Sequence, residues 1–289
     1  MISRRDALRL GLAGLVGSAC RRTGVVPVAD AAPALGRMPV VFVGHGSPMN
    51  AIEDNAWSRA WRALGTALPQ PRAILCVSAH WYVPGTWVTG NVAPRTIHDF
   101  GGFPKALFEV RYPAKGDVAL AGRITSLLAS HEARTRDDWG LDHGAWSVLA
   151  RVRPAADVPV LQLSVHRGLA PEAHLALGRA LAPLRDEGVL ILASGNVTHN
   201  LPHALSGDGQ LPAWASGFDA DVAKALEQRD AKFLGGALAT DHGRDAHPTP
   251  DHYLPLLYAA GAASPSDPIS FPATGFDLGS ISMRSIRYG

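Results

Sequence analysis

Four runs in this chain are apolar at nearly every position rather than at every second one. They are Pro39-Val-Val-Phe-Val43, Ala73-Ile-Leu-Cys-Val77, Val158-Pro-Val-Leu-Gln-Leu-Ser-Val165 and Val189-Leu-Ile-Leu-Ala193. A strand that is apolar on both sides has to be covered on both sides, which is the situation of a parallel sheet between helical layers. Between these runs lie stretches with apolar residues three or four apart, such as Trp57, Trp61 and Leu64. That is the helical period. Strand and helix patterns alternate, so the expected fold is α/β: a single domain with a central, mostly parallel sheet covered by helices on both faces. At 289 residues and 47% hydrophobic content, the chain can bury one full core.

Three of the apolar runs lead into a histidine: His45, His80 and His199. An open α/β sheet binds ligands in the crevice outside the carboxyl ends of its strands. Imidazoles delivered there by separate strand ends can converge on one metal ion. The expected metal site therefore lies at the strand C-terminal ends. His45 stands between Gly44 and Gly46, which let the backbone approach a ligand closely. His80 is followed by Trp81, an apolar neighbour that keeps a metal site dry. His252 follows Thr249-Pro250-Asp251, which reads as N-cap, N1 and N2 of a helix. That reading places His252 in the first helical turn, where the positive end of the dipole favours a neutral imidazole.

Other histidines have less specific settings. His199, between Thr198 and Asn200, suits either a metal ligand or a neighbouring acid/base, since its ordinary pKa is near neutrality. His143 follows Asp142 and can hydrogen-bond a substrate. His98 lies in Thr96-Ile-His-Asp-Phe-Gly-Gly-Phe-Pro104, a composition that suits a flap over an aromatic ligand and equally a surface loop. His166 also ends a strand and competes with the chosen set. His131, His174, His203, His242 and His247 are read as surface or structural.

Composition narrows the function classes. The net charge is +2 with histidine neutral, and the charges are dispersed. There is no basic stripe with interleaved aromatics, so nucleic acid is not an expected partner. After the first residues, no apolar run is long and clean enough to span a bilayer. Two cysteines, Cys20 and Cys76, make no disulfide framework, and Cys76 is expected as a buried thiol. The sequence has no P-loop lysine motif, no CxxC and no Gly-x-Ser-x-Gly elbow, and Gly101-Gly102 lacks the context of a dinucleotide fingerprint.

Residues 1–35 are expected to be an address rather than part of the fold, which leaves 36–289 as the one domain. Arg4-Arg5, then Leu8 and a Gly/Ala/Leu stretch, resemble a twin-arginine signal. The expected location is periplasmic. Lipid attachment at Cys20, or a cytoplasmic protein with a non-functional leader, are the alternatives.

Strands are expected at 39–43, 73–79, 86–90, 158–165 and 188–194, with two more in 268–271 and 279–286. Helices are expected at 54–67, 116–130, 143–152, 171–186, 214–228 and 250–261.

Six motifs, taken in order, resemble a known family. They are Gly44-His-Gly-Ser-Pro48, Ser78-Ala-His-Trp81, Thr96–Pro104, Gly140-Leu-Asp-His-Gly-Ala-Trp146, Ala193-Ser-Gly-Asn-Val-Thr-His-Asn200 and Pro248-Thr-Pro-Asp-His-Tyr-Leu-Pro-Leu-Leu-Tyr258. Together they resemble class III extradiol ring-cleaving dioxygenases, in the 4,5-DOPA extradiol dioxygenase branch, over about residues 38–289. The resemblance implies a non-haem Fe(II) enzyme that uses O₂ to open a catecholic ring beside the diol, giving a semialdehyde. It implies metal ligands at His45, His80 and His252, an acid/base at His199 that can count as a ligand in zinc-loaded forms, and a substrate-side histidine at His143. Zn(II) can occupy the same site, because imidazole accepts both metals. The alternative is a zinc hydrolase on the same histidines; no carboxylate base is evident beside them in the sequence.

Overall fold

The computed structural model describes residues 36–206 and 209–289. Its strands are β1 (Val40–Gly44), β2 (Ala73–Val83), β3 (Trp87–Thr89), β4 (Arg134–Arg136), β5 (Val160–His166), β6 (Val189–Gly195), β7 (Ile269–Ala273), β8 (Phe276–Asp277), β9 (Ile281–Ser282) and β10 (Ser285–Tyr288). Its α-helices are α1 (Ala56–Ala67), α2 (Lys105–Glu109), α3 (Val118–Leu127), α4 (His143–Val152), α5 (Pro171–Leu181), α6 (Leu201–Ser206), α7 (Ala213–Glu227), α8 (Ala231–Gly236), α9 (Asp241–Ala246) and α10 (Leu254–Ala262). Among these, no helix is long and apolar enough to cross a membrane.

Eight strands form one sheet in the order β4-β3-β5-β2-β6-β1-β10-β7. The four central strands β5, β2, β6 and β1 run parallel. They are the four apolar runs of the sequence, and β1 and β6 are buried throughout. Alternate residues serve opposite layers, as the two-residue period of a strand requires. Val40 and Phe42 join the layer of α3, α5, α7 and α10, whereas Val41 and Val43 join that of α1 and α4. The expected α/β architecture, with helices on both faces of a mostly parallel sheet, is the one observed.

The margins differ from the sequence expectation. β10 pairs antiparallel with β1, and β7 antiparallel with β10. The stretch expected as one strand at 279–286 splits into β9 and β10, with Leu278 at φ 47 and Gly279 at φ 75 just before the split. Two helices end early in 3₁₀ turns, α5 at Leu181 and α3 at Leu127. Pro183 explains the first, because proline cannot continue an α-helix. The short α2, α6, α8 and α9 lie outside the sequence expectation. The leader and the lipid-attachment reading at Cys20 fall on residues outside those described.

One correction bears on the site. Thr249 does not cap a helix that contains His252. The segment 250–253 is a turn, and α10 starts at Leu254 with Pro255 in its first turn. His252 therefore precedes the helix, and the helix-dipole argument for its neutrality does not hold.

Candidate metal centre

Three neighbouring strands open onto one crevice at their carboxyl ends, in the order β2-β6-β1. His45 directly follows β1, and its backbone N–H donates to Gly195 O at 2.9 Å. Gly44 is required there, since a Cβ would lie 2.8 Å from the backbone of Met283. β2 slips register against β5 between Val77 and Tyr82. Between those pairs β2 has three more residues than β5, and His80 lies in this irregular stretch, just past the Ser78–Ser194 pair with β6. Asp142 caps α4 by accepting from Ala145 N at 3.1 Å, which fixes His143 at the first helical position. The backbone of Gly195 presses on His252 O, where a Cβ would lie at 2.2 Å, and Asn196 N donates to the same carbonyl at 2.9 Å. His199 is anchored by its backbone N–H to Ala246 O at 3.0 Å.

All five singled-out histidines meet. Ring centroids of His45, His80 and His252 form a near-equilateral triangle, with sides of 5.1, 5.0 and 5.1 Å. His143 packs on His80 at 3.8 Å and stands 5.8 Å from His45. His199 stacks flat on His252, with centroids 3.5 Å apart and ring planes 4° apart. The Nε2 atoms of His45 and His80 are 3.2 Å apart.

The hydrogen-bond partners fix which ring nitrogen is free. Ser194 Oγ donates its only proton to Gly144 O at 2.5 Å, so it can only accept from His45 Nδ1, at 3.0 Å. His252 Nδ1 faces Asp251 Oδ2 at 2.5 Å. His80 Nδ1 and His143 Nδ1 face one oxygen, Asp99 Oδ2, at 3.2 and 3.0 Å; the second lies off the line of a straight hydrogen bond. A carboxylate only accepts, so each Nδ1 carries a proton, and in the neutral ring the lone pair is on Nε2. This is how protein groups orient histidine ligands. Among the described residues, no side chain hydrogen-bonds the ring of His199.

This donor set fits a divalent ion. Nitrogens about 2.1 Å from a shared ion, at about 90–110° to one another, lie about 3.0–3.4 Å apart, and their ring centroids about 4.5–5.3 Å apart. The His45–His80 contact and the His45/His80/His252 triangle both fall in those ranges. By ligand-atom distance, the nitrogens that lie within 4.8 Å of one another are those of His45, His80 and His143, so His143 offers a second triad. In that triad the rings are less evenly spaced, with His143 3.8 Å from His80 and 5.8 Å from His45.

Burial, and then the neighbouring imidazoles, push His45 and His252 well below the ordinary histidine pKa. Burial likewise lowers His199, to about 4. His80 and His143 share a carboxylate yet move in opposite directions. Burial would lower His80, but Asp99 and Asp142 outweigh it and raise it. At His143, burial and the charge of His80 prevail and lower it. Burial would raise the Asp99 carboxyl, yet the two histidines hold it well below the usual carboxylate range. Neutral imidazoles are what a metal ion needs.

The glycine- and aromatic-rich loop is not a free surface loop. Ile97 N donates to Leu141 O at 2.7 Å, Trp146 Nε1 donates to Ile97 O at 2.8 Å, and His98 Nε2 lies 3.1 Å from Val110 O. Phe100 sets its edge against His143 at 5.4 Å and packs with Phe103 at 5.3 Å and Phe108 at 5.1 Å. An aromatic wall therefore borders the histidines. His166 bonds locally, its Nδ1 accepting from Gly168 N at 2.9 Å. Cys76 is fully buried, as expected.

Sequence reasoning missed Asp99, Asp251 and Ser194 as ring partners. The first two stand directly beside a histidine in the chain, in His98-Asp99 and Asp251-His252. For Asp251 that adjacency was the available signal, whereas Asp99 meets His80 and His143 only through space. These contacts also correct the expectation that no carboxylate lies beside the ligands: two do, and both are engaged by Nδ1 atoms.

The family model "Catalytic LigB subunit of aromatic ring-opening dioxygenase" matches residues 40–278. A 4,5-DOPA dioxygenase extradiol of Escherichia coli (strain K12) is 46% identical over 258 residues, covering 88% of this chain and 95% of that protein. The 4,5-DOPA dioxygenase extradiol of Beta vulgaris is 39% identical, covering 86% and 95%. A crystal structure of an uncharacterized protein from Escherichia coli K12 superimposes with a TM-score of 0.76 at 42% identity, covering 88% of this chain and all of that one. A histidine-lined crevice at the strand ends and a match across nearly the whole described fold lead to one conclusion: the chain belongs to the LigB family of class III extradiol ring-cleaving dioxygenases.

Proposed function

We propose that the chain opens a catecholic, DOPA-like ring beside its diol with O₂, yielding a semialdehyde, at an Fe(II) site held by His45, His80 and His252. The carrying observation is the regular triangle of those three rings, each with its Nδ1 partnered and its Nε2 free. When bound, the ion supplies positive charge for the catecholate oxygens and one-electron chemistry toward O₂. Zinc would fill the same donors without that redox chemistry.

The protein's own groups do the rest. Three neutral imidazoles leave the ion's charge uncompensated, which favours a dianionic ligand. His199 stacks parallel to His252. That flat stack supports a reading in which His199 would serve as the acid/base beside the ion rather than hold it. Its ring has no side-chain hydrogen-bond partner among the described residues, and burial keeps it neutral and able to take the proton of a catechol hydroxyl. His143, with Nδ1 beside Asp99, would hold a substrate oxygen through Nε2. Phe100 and Phe103 offer an apolar wall to the ring.

The test is anaerobic Fe(II) loading followed by L-DOPA and air, reading oxygen uptake and the visible spectrum. A yellow product with one O₂ consumed per catechol is expected. No uptake across a catechol panel, with the metal bound, would reject the dioxygenase in favour of hydrolysis.

A further inference from the structure

We propose that Asp99 is a positioning residue that locks His80 and His143 into one tautomer and ties the aromatic wall to both of them. The inference rests on the metal reading above and extends it to a residue outside the histidine set.

Asp99 uses both of its oxygens. Oδ2 faces His80 Nδ1 at 3.2 Å and His143 Nδ1 at 3.0 Å. Oδ1 accepts from the backbone N–H of His143 at 2.9 Å, one of the first-turn donors of α4 that has no partner inside the helix. One carboxylate thus holds a β2 histidine, an α4 histidine and the α4 terminus together. Its side chain is 21% exposed. The next residue in the chain is Phe100, whose ring packs on His143. On its other side, Ile97 is fastened through both backbone groups, to Leu141 O and to Trp146 Nε1.

The chemistry requires an anion at this point. Each imidazole has two nitrogens and, when neutral, one proton. With the proton on Nδ1 toward Asp99, each neutral ring leaves its lone pair on Nε2. An amide would present either a single acceptor or an N–H₂ group to two N–H donors. It would satisfy one ring at most and leave the other free to flip. Partners of metal-binding histidines that act in this way are worth about 10–100-fold in metal affinity.

The experiment compares wild type, Asp99→Asn and Phe100→Ala, each in the full chain, using Co(II) as a spectroscopic probe and Zn(II) for NMR. Wild type is expected to bind Co(II) with d–d bands in the visible. Asp99→Asn should raise the Co(II) Kd by about 10–100-fold. In long-range ¹H–¹⁵N spectra of the Zn(II) form it should also lose the shared Nδ1–H pattern of His80 and His143. Phe100→Ala disturbs the same loop but keeps the carboxylate, so it should keep both the wild-type Kd and the tautomer pattern. An unchanged Kd and tautomer pattern in Asp99→Asn would overturn the proposal and leave the metal reading standing. An equal loss in Phe100→Ala would also overturn it, by assigning the effect to loop packing. Failure of the wild type to bind Co(II) would reject the metal reading and the proposal together.

Discussion

His80 and His199 stand on different walls of one crevice and are held differently. His80 sits on a strand bulge with its Nδ1 on Asp99, and its neighbours His45 and His143 also have Nδ1 beside a protein oxygen. His199 sits on a turn after β6, fixed by its backbone and by a flat stack on His252, with no side-chain hydrogen bond to its ring among the described residues. The first arrangement aims a lone pair in one direction, which is what coordination needs. The second leaves a nitrogen able to gain and lose a proton, which is what acid/base work needs. The difference lies in what each Nδ1 meets, since the residue type is the same.

The sharpest way to break this comparison is to remove one imidazole from each wall. His80→Ala should lose both metal binding and turnover to below detection, read by metal content after dialysis and by oxygen uptake. A variant that keeps stoichiometric metal would show that the first wall does not coordinate. His199→Gln should retain metal within a few-fold while kcat falls about 10²–10⁴-fold, the usual worth of a general acid/base. If metal loss rather than kcat explains its inactivity, the two walls are equivalent and the distinction fails.

Gly144 probes how tightly the first wall is built. A Cβ there would lie 2.5 Å from Ser78 Oγ and 2.9 Å from His80 Cδ2. Gly144→Ala should therefore cost about 1–3 kcal/mol of stability by overpacking, and weaken the metal by displacing His80. Urea unfolding with and without metal would measure both; an unperturbed variant would mean that the bulge yields freely.

The smallest effect concerns the ground behind the second wall. His247 is buried, and its Nε2 lies 2.7 Å from Val197 O. Burial lowers its pKa to about 4, against 6.5 for the free side chain. The unfolded chain thus binds a proton between those values that the folded chain refuses. The resulting stability is complete above pH 6.5 and is lost as pH falls toward 4, by up to about 3 kcal/mol. His247→Gln should flatten the decline of the urea midpoint across that window. An unaltered slope would place the acid sensitivity in the five-histidine cluster instead.

Much of this was legible in the chain because it depends on local pattern. Wholly apolar strands β1, β2, β5 and β6 announced a sheet covered on both faces, and histidines at their ends announced a crevice. Most of the sheet margin was legible too, since β3, β7 and β10 fall on or beside the strands expected at 86–90, 268–271 and 279–286. β4 was missed, because its three residues are exposed or half-buried and resemble loop. His252 was found from its motif although its helix argument was mistaken: a Thr-Pro sequence suits a cap, but here the chain makes one more turn before α10 begins.

The sequence by itself determined the α/β class, the location of the site and the histidines that could meet there, because hydrophobic periodicity and strand-end position are properties of neighbouring residues. Only the tertiary structure decided what each imidazole faces. Asp99 meets His143 across 44 residues of chain, and Ser194 reaches His45 across 149, from the adjacent strand. The position of the proton on a ring is set by such contacts through space, which no local pattern encodes.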